Sequence, residues 1–288
     1  MMRAASGHVI VDFALDDLLR GALREDLGRA GDLTTNAIVA ADRFGSADVV
    51  ARAAGTISGL AAAARVFTLL DPAVNVELLV ADGARVDAGT PLARISGSLR
   101  TILTGERTAL NVLGRLCGVA TATRRYVDLI AGTRATIVDT RKTTPGMRAL
   151  EKAAVRDGGG KNHRFGLDDA ILIKDNHVAV AGGIVPAIAA ARAFAGHLVL
   201  VEVEVDSLDQ LDEALGAGAQ IVLLDNFTPE RLAEGVRRTN GRALLEASGG
   251  VNAATVRAIA ESGVDLISIG ALTHSAIALD VALDIQTG

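Results

Sequence analysis

The stretch "LVLVEVEVDSLDQLDEALGAGAQIVLLDN", residues 198–226, sets two short β-branched runs on either side of one amphipathic helical segment. Glycines close that segment, as expected where a chain leaves an α-helix. A strand, a helix and a second strand in so few residues predict a parallel βαβ unit. The pattern recurs in "ATIVDT" (135–140), "AILIKD" (170–175), "ALLEASGG" (243–250) and "DLISIGA" (265–271), with Ala-rich segments such as "GGIVPAIAAARAFAG" between runs. Six such runs approach a closed or nearly closed α/β barrel.

The first half reads differently. Residues 12–30 have a helical pattern, whereas "GSADVVARAAGTISG" (45–59) and "NVELLVADGARVDAGTPLARISGSL" (75–99) hold short strands with Gly and Asp turns, the composition of an α+β domain. From Thr104 to Ile130 apolar residues recur at helical spacing through Leu110, Leu113, Leu116, Cys117 and Ala120, which predicts a helix leading into the barrel.

Composition narrows the function. Tyr126 is the only tyrosine and tryptophan is absent, so the aliphatic interior offers no surface for stacking bases or sugars. A net charge of -5 gives no general attraction to nucleic acid or to an anionic membrane. Cys117 is the sole cysteine, which excludes an intrachain disulfide and a cysteine-based zinc site and predicts a plain buried thiol. The opening residues lack an uninterrupted apolar stretch, and nowhere do about 18 apolar residues run without charge, so a cytoplasmic protein is expected.

In parallel α/β architectures the ligand lies beyond the carboxyl ends of the strands. Those ends carry Arg141 and Lys142; Lys174, Asp175 and His177; Glu204; Asp225 and Asn226; Ser248, Gly249 and Gly250; and Gly270 with Ala271. The small residues on the last two strands suit a phosphate, because glycine lets backbone N–H groups approach an anion where a strand turns into a helix. Glu204 and Asp225 end adjacent strands with no evident counterion nearby, which suits a magnesium ion or ribose hydroxyls. An ion pair with an arginine is the plain alternative, and Glu202, on the same strand face, competes with Glu204 for the role.

The chain has four lysines, Lys142, Lys152, Lys161 and Lys174, all inside residues 141–174. Lysine is a compact charge suited to phosphate, whereas arginine suits a planar carboxylate. Lys142 and Lys174 sit at strand ends; Lys152 follows Glu151 in a helical pattern and reads as structural, and Lys161 follows three glycines in an expected solvated loop. With Arg141, His163 and Arg164 the two strand-end lysines would make a cationic pocket in an acidic protein, for a ligand carrying several negative charges.

The segments "REDLGRAGDLTT" (24–35), "GERTALNVL" (105–113), "DTRKTTPGMRALEKAAV" (139–155), "GGGKNHRFGLDDAILIKDNH" (158–177), "VEVEV" (201–205), "LLDN" (223–226), "EASGGV" (246–251) and "GALTHS" (270–275) resemble the quinolinate phosphoribosyltransferase family, in order over almost the whole chain. The resemblance implies an α+β open-sandwich domain of residues 1–115, joined by residues 275–288, and a domain of residues 116–274 that is an open or incompletely closed α/β barrel of about six to seven parallel strands. It implies transfer of phosphoribose from 5-phosphoribosyl 1-pyrophosphate to quinolinate with Mg²⁺, giving nicotinate mononucleotide, pyrophosphate and CO₂ in NAD biosynthesis. Lys142, Lys174, Glu204 and Asp225 are then the expected catalytic residues, the last two also metal ligands. Arg141, His163 and Arg164 are expected on the quinolinate carboxylates, and Ser248, Gly249, Gly250, Gly270, Ala271 and His274 on phosphate. A homodimer is implied, with Arg107 entering the neighbouring subunit's site.

Three rivals differ in chemistry. A mono-acid phosphoribosyltransferase of the same fold would leave part of the Arg-Lys and His-Arg charge unpaired. A Schiff-base aldolase would use Lys142 or Lys174 as an amine. A carrier-domain reading of "VADGARVDAGTPLARI" fails because no lysine stands there to bear a cofactor.

Overall fold

The computed structural model describes residues 9–286. Two compact units divide the chain: residues 9–122, Thr144–Gly158 and 276–286 form the first, and Thr123–Thr143 with Gly159–Ser275 form the second.

The first unit contains α1 (Val9–Leu27), α2 (Leu33–Ile38), β1 (Phe44–Ala51), β2 (Gly55–Thr56), α3 (Leu60–Leu70), β3 (Asn75–Leu78), β4 (Arg85–Val86) and β5 (Pro91–Ser98), followed by the long α4 (Leu99–Leu129). Its main sheet runs β12-β1-β5-β3, all antiparallel, where β12 is Val281–Gln286 at the end of the chain. Val49, Ala93 and Ile95 of that sheet, Phe67 of α3, and Leu110 and Leu113 of α4 line one narrow apolar seam, and all six side chains are buried. Asp48 sits opposite Arg94 in the β1–β5 register and receives both its Nε–H (2.8 Å) and an Nη2–H (3.0 Å). Cys117 is buried as expected, and burial pushes its thiol up to about 12.

The second unit continues with β6 (Thr136–Val138). After α5 (Arg148–Asp157) come β7 (Ile171–Ile173), α6 (Asp175–Ala181), α7 (Ile184–Phe194), β8 (Val201–Val205), α8 (Leu208–Gly216), β9 (Ile221–Asp225), α9 (Pro229–Thr239), β10 (Leu244–Ser248), α10 (Val256–Glu261), β11 (Leu266–Ser268) and α11 (Ala271–His274). Its six strands form one parallel sheet in the order β6-β11-β10-β9-β8-β7, the open α/β barrel expected from the sequence. Side chains alternate along β8: Val203 and Val205 are buried on one face, and Glu202 and Glu204 project from the other. The helices start where local chemistry allows, with Ser207 Oγ capping α8 and Thr228 followed by Pro229 opening α9. Among the described residues no single helix is long and apolar enough to cross a membrane.

The sequence places residues 144–158 in the barrel domain, but α5 belongs to the first unit. The reason is Glu151, fully buried. Its carboxylate accepts Arg115 Nε–H (3.0 Å) and Nη2–H (2.8 Å) together with the Thr144 hydroxyl (2.7 Å) and N–H (3.0 Å), while Arg115 Nη1–H reaches Ala276 O (3.0 Å). Lys152 beside it is buried too, in keeping with a structural role.

The C-terminal segment runs against α4 where two glycines make room. A Cβ on Gly114 would come within 2.9 Å of Leu279 O, and one on Gly118 would collide with the Ile277 carbonyl. Gly118→Ala should therefore destabilise the fold by about 1–3 kcal/mol through overpacking. Urea titration checks this; an unchanged midpoint would refute the tight packing.

Candidate active site

The carboxyl ends of the barrel strands surround a cavity of about 610 Å³ lined by Thr140, Arg141, Lys142, His163, Arg164, Leu172, Lys174, Glu204, Leu223, Asp225, Asn226, Glu246, Ser248, Gly249 and Ser268. A smaller hollow of about 340 Å³ lies at the strand starts, near Gln220, Leu244 and Asp265. The five cationic or imidazole side chains expected in one pocket do share the larger one.

Lys142, His163 and Arg164 are held by neighbouring loops. Lys142 has its N–H on Thr140 Oγ1 (3.0 Å) and its carbonyl on the Thr273 hydroxyl (2.8 Å). Its stem lies against Gly270, where an added Cβ would meet Lys142 Cδ at 2.9 Å and His274 Nε2 at 3.3 Å. Gly270 and His274 thus sit beside Lys142, and neither they, Ala271 nor Gly250 line the cavity. Arg107 lies exposed on α4 in the first unit.

His163 and Arg164 come from the loop after α5. That loop is fixed by Asp139, a fully buried carboxylate that accepts the Asn162 amide (2.6 Å) and the His163 N–H (2.9 Å). The His163 ring is committed on both sides: Nδ1 accepts the Arg164 N–H (2.7 Å) and Nε2 lies 2.8 Å from Glu202 Oε2. Nε2 therefore bears the ring proton and donates it to Glu202. Arg164 Nη1–H reaches Ala170 O (3.0 Å), and burial, then the charge of Arg141, push the Arg164 pKa down. Arg141 Nε is buried with no hydrogen-bond partner. Two guanidinium groups that disfavour one another, one with an orphaned donor, form a place for an anion.

Glu202 and Glu204 share one face of β8 and differ in depth. Glu202 is buried on His163, whereas Glu204 reaches the cavity and receives Lys174 Nζ–H at 2.8 Å. The expectation that Glu204 lacks a counterion is thereby corrected; its partner is a lysine one strand away. Asp225 ends β9 and accepts the Asn226 amide (2.7 Å). Burial and the negative charge of Glu204 raise its pKa, against the pull of Lys174. Two neighbouring carboxylates facing one cavity, one of them penalised for its charge, are a donor set that fits a hard divalent cation such as Mg²⁺.

The loop after β10 also departs from expectation. "ASGG" does not run straight into a helix, because Asn252 Oδ1 accepts the N–H groups of Ala254 (2.9 Å) and Thr255 (3.2 Å) and α10 begins only at Val256. Gly249 has φ +87°, and a Cβ there would strike the Asn226 side chain, so the backbone of this turn comes close to β9 only as glycine. Glu246 and Ser268, which also line the cavity, escaped the sequence reading. One signal was available: Glu246 is the only ionisable residue in "ALLEAS", two positions before Ser248 and so on its strand face.

Comparison with known proteins agrees with this geometry. Residues 32–117 match the family "Quinolinate phosphoribosyl transferase, N-terminal domain" and residues 119–284 the corresponding "C-terminal domain". The chain is 46% identical over 280 residues to the nicotinate-nucleotide pyrophosphorylase [carboxylating] of Mycobacterium leprae, covering 94% of this chain and 97% of that one. It is 43% identical over 271 residues to the probable enzyme of that name from Bacillus subtilis, covering 94% and 93%. The crystal structure of NadC from Streptococcus pyogenes superposes with a TM-score of 0.92 at 41% identity, covering 98% of this chain and 100% of that one. From its open barrel, its cation-lined cavity and these matches along nearly its full length, the chain belongs to the quinolinate phosphoribosyltransferase family.

Proposed function

We propose that this protein joins quinolinate to 5-phosphoribosyl 1-pyrophosphate and releases pyrophosphate and CO₂, forming nicotinate mononucleotide for de novo NAD synthesis. The observation that carries the substrate choice is the orphaned, buried Arg141 Nε beside Arg164. A pyridine dicarboxylate would pair both guanidinium groups, whereas a mono-acid would leave one buried charge unpaired.

The residues then divide the work. Arg141 and Arg164 hold the two carboxylates and orient the ring nitrogen; His163, whose ring nitrogens are already committed, positions Arg164 through the backbone. Lys142, exposed at the cavity rim, offsets the charge that grows on pyrophosphate as the ribosyl carbon becomes oxocarbenium-like. Lys174 holds Glu204 toward the ribose. Ser248 and Gly249 offer a hydroxyl and backbone N–H groups to phosphate at the cavity wall, with Gly250, Gly270, Ala271 and His274 in the loops behind. Glu204 and Asp225 would hold Mg²⁺, which when bound supplies positive charge to the pyrophosphate group. Attack by the ring nitrogen makes it quaternary, and its positive charge then stabilises the electron pair left when the adjacent carboxylate departs. A cytoplasmic homodimer completed by the exposed Arg107 belongs to the same proposal.

An assay of purified protein with quinolinate, the phosphoribosyl donor and Mg²⁺ should yield nicotinate mononucleotide and CO₂ together. Lys142→Ala should lower kcat/KM about 10²–10³-fold, the scale for losing one preorganised charge; turnover of nicotinate in place of quinolinate would overturn the substrate. Asp225, titrated by carbon NMR, should move down toward the ordinary carboxylate range on adding Mg²⁺, since a bound cation removes the penalty that burial and Glu204 impose. No movement would place the metal elsewhere. Mixing Arg107→Ala with Lys142→Ala subunits should restore part of the activity that each lacks, because one site of the mixed dimer is then intact; no recovery would count against a shared site.

A further inference from the structure

Beneath Ser248 the cavity floor holds a cluster that the reaction as described leaves idle. Glu246 on β10, Glu202 on β8 and His163 place ligand-type atoms within 4.8 Å of one another. Glu246 Oε2 lies 3.6 Å from His163 Nε2, and Oε1 of both glutamates is buried without a partner. A metal does not suit the trio, because His163 Nδ1 accepts a backbone N–H and a metal on Nε2 would require an imidazolate. The proton on Nε2 goes to Glu202, so Glu202 is the paired carboxylate and Glu246 the one left over. Glu246 is 1% exposed, faced by Glu202, His163, Asp139 and the Ser268 hydroxyl, and among the described residues no lysine or arginine is hydrogen-bonded or ion-paired to it. Burial first, then the charge of Glu202, push its pKa up to about 7, with His163 opposing them.

Decarboxylation needs a proton donor at this place. When the C2–carboxylate bond of quinolinate mononucleotide breaks, CO₂ leaves and the electron pair stays on C2 beside the quaternary nitrogen. A C2–H bond must then form. Arginine does not release protons at neutral pH, Lys142 stands at the exposed rim on the pyrophosphate side of the proposed reaction, Lys174 is tied to Glu204, and His163 Nε2–H is tied to Glu202. We infer that Glu246 is the acid that protonates C2 after CO₂ departs, becoming a carboxylate that is reprotonated from water before the next turnover. The inference rests on the proposed reaction and adds a catalytic residue to it.

The test uses full-length protein with quinolinate and the phosphoribosyl donor, following pyrophosphate, quinolinate mononucleotide and nicotinate mononucleotide in single turnovers. Glu246→Gln keeps the shape and removes the acid. It should slow nicotinate mononucleotide formation about 10²-fold, the lower end for a general acid. Quinolinate mononucleotide should build up and take label from dissolved ¹³CO₂, because an unprotonated C2 can recapture it. In the wild type, product formation should fall as pH rises through about 7 and slow in D₂O, and this readout needs no variant. Wild-type product formation flat from pH 6 to 8, or equal slowing of pyrophosphate release and decarboxylation in Glu246→Gln, would overturn the inference and leave Glu246 a structural group. Absence of quinolinate-dependent pyrophosphate release in the wild type would instead overturn the underlying reaction, and the inference with it.

Discussion

Asp139 carries the arrangement of the second unit's cavity. It stands one residue beyond β6, fully buried, and receives both the Asn162 amide and the His163 N–H. Around it the backbone pairs β6 with the chain at Lys161, through Lys161 N–H to Ile137 O (2.9 Å) and Asp139 N–H to Lys161 O (3.2 Å). These bonds draw the loop from 161 to 164 alongside the edge strand of an open sheet, so that His163 and Arg164 face the same space as Arg141 and Lys142. A carboxylate this deep is stable only when its lone pairs are occupied, so the loop cannot drift away without leaving a buried charge unpaired.

The cavity solves a charge problem in two layers. At the rim, lysines meet carboxylates: Lys174 pairs with Glu204, and Glu204 in turn raises Asp225. Deeper, Arg141 and Arg164 repel one another above a floor where Glu202, Glu246 and His163 crowd together. The cavity lining holds unpaired charge at several points, which a highly charged ligand can relieve. The free energy given up in folding is returned on binding, which is how a protein with an acidic total charge attracts anions at one place.

Much of this was legible in the chain. Short β-branched runs spaced by amphipathic helical segments predict a parallel sheet, since strands covered by helices on both faces read as nearly continuous apolar runs. The rule that ligands gather at strand ends selects Arg141, Lys142, Lys174, Glu204, Asp225, Asn226, Ser248 and Gly249, which line the cavity, and also Asp175, His177, Gly250, Gly270 and Ala271, which do not. The lysine cluster was only half informative: Lys142 and Lys174 reach the cavity, Lys152 is buried in the first unit, and Lys161 contributes its backbone. Glu246 was passed over because a lone glutamate in a strand looks like a solvent-facing residue until the face it shares with Ser248 is known to point inward.

What the sequence determined alone was local and periodic: the strand and helix types, the six runs, and which side chains stand at their ends, because backbone sterics and the alternation of side chains act over a few residues. Tertiary structure decided who meets whom. The assignment of α5 to the first unit through Arg115 and Glu151, the pairing of Lys174 with Glu204, the choice of Glu204 over Glu202 for the cavity, and the isolation of Glu246 all join residues far apart in the chain. Such contacts depend on register and burial, which are fixed only when the whole sheet closes its faces, so no local pattern could announce them.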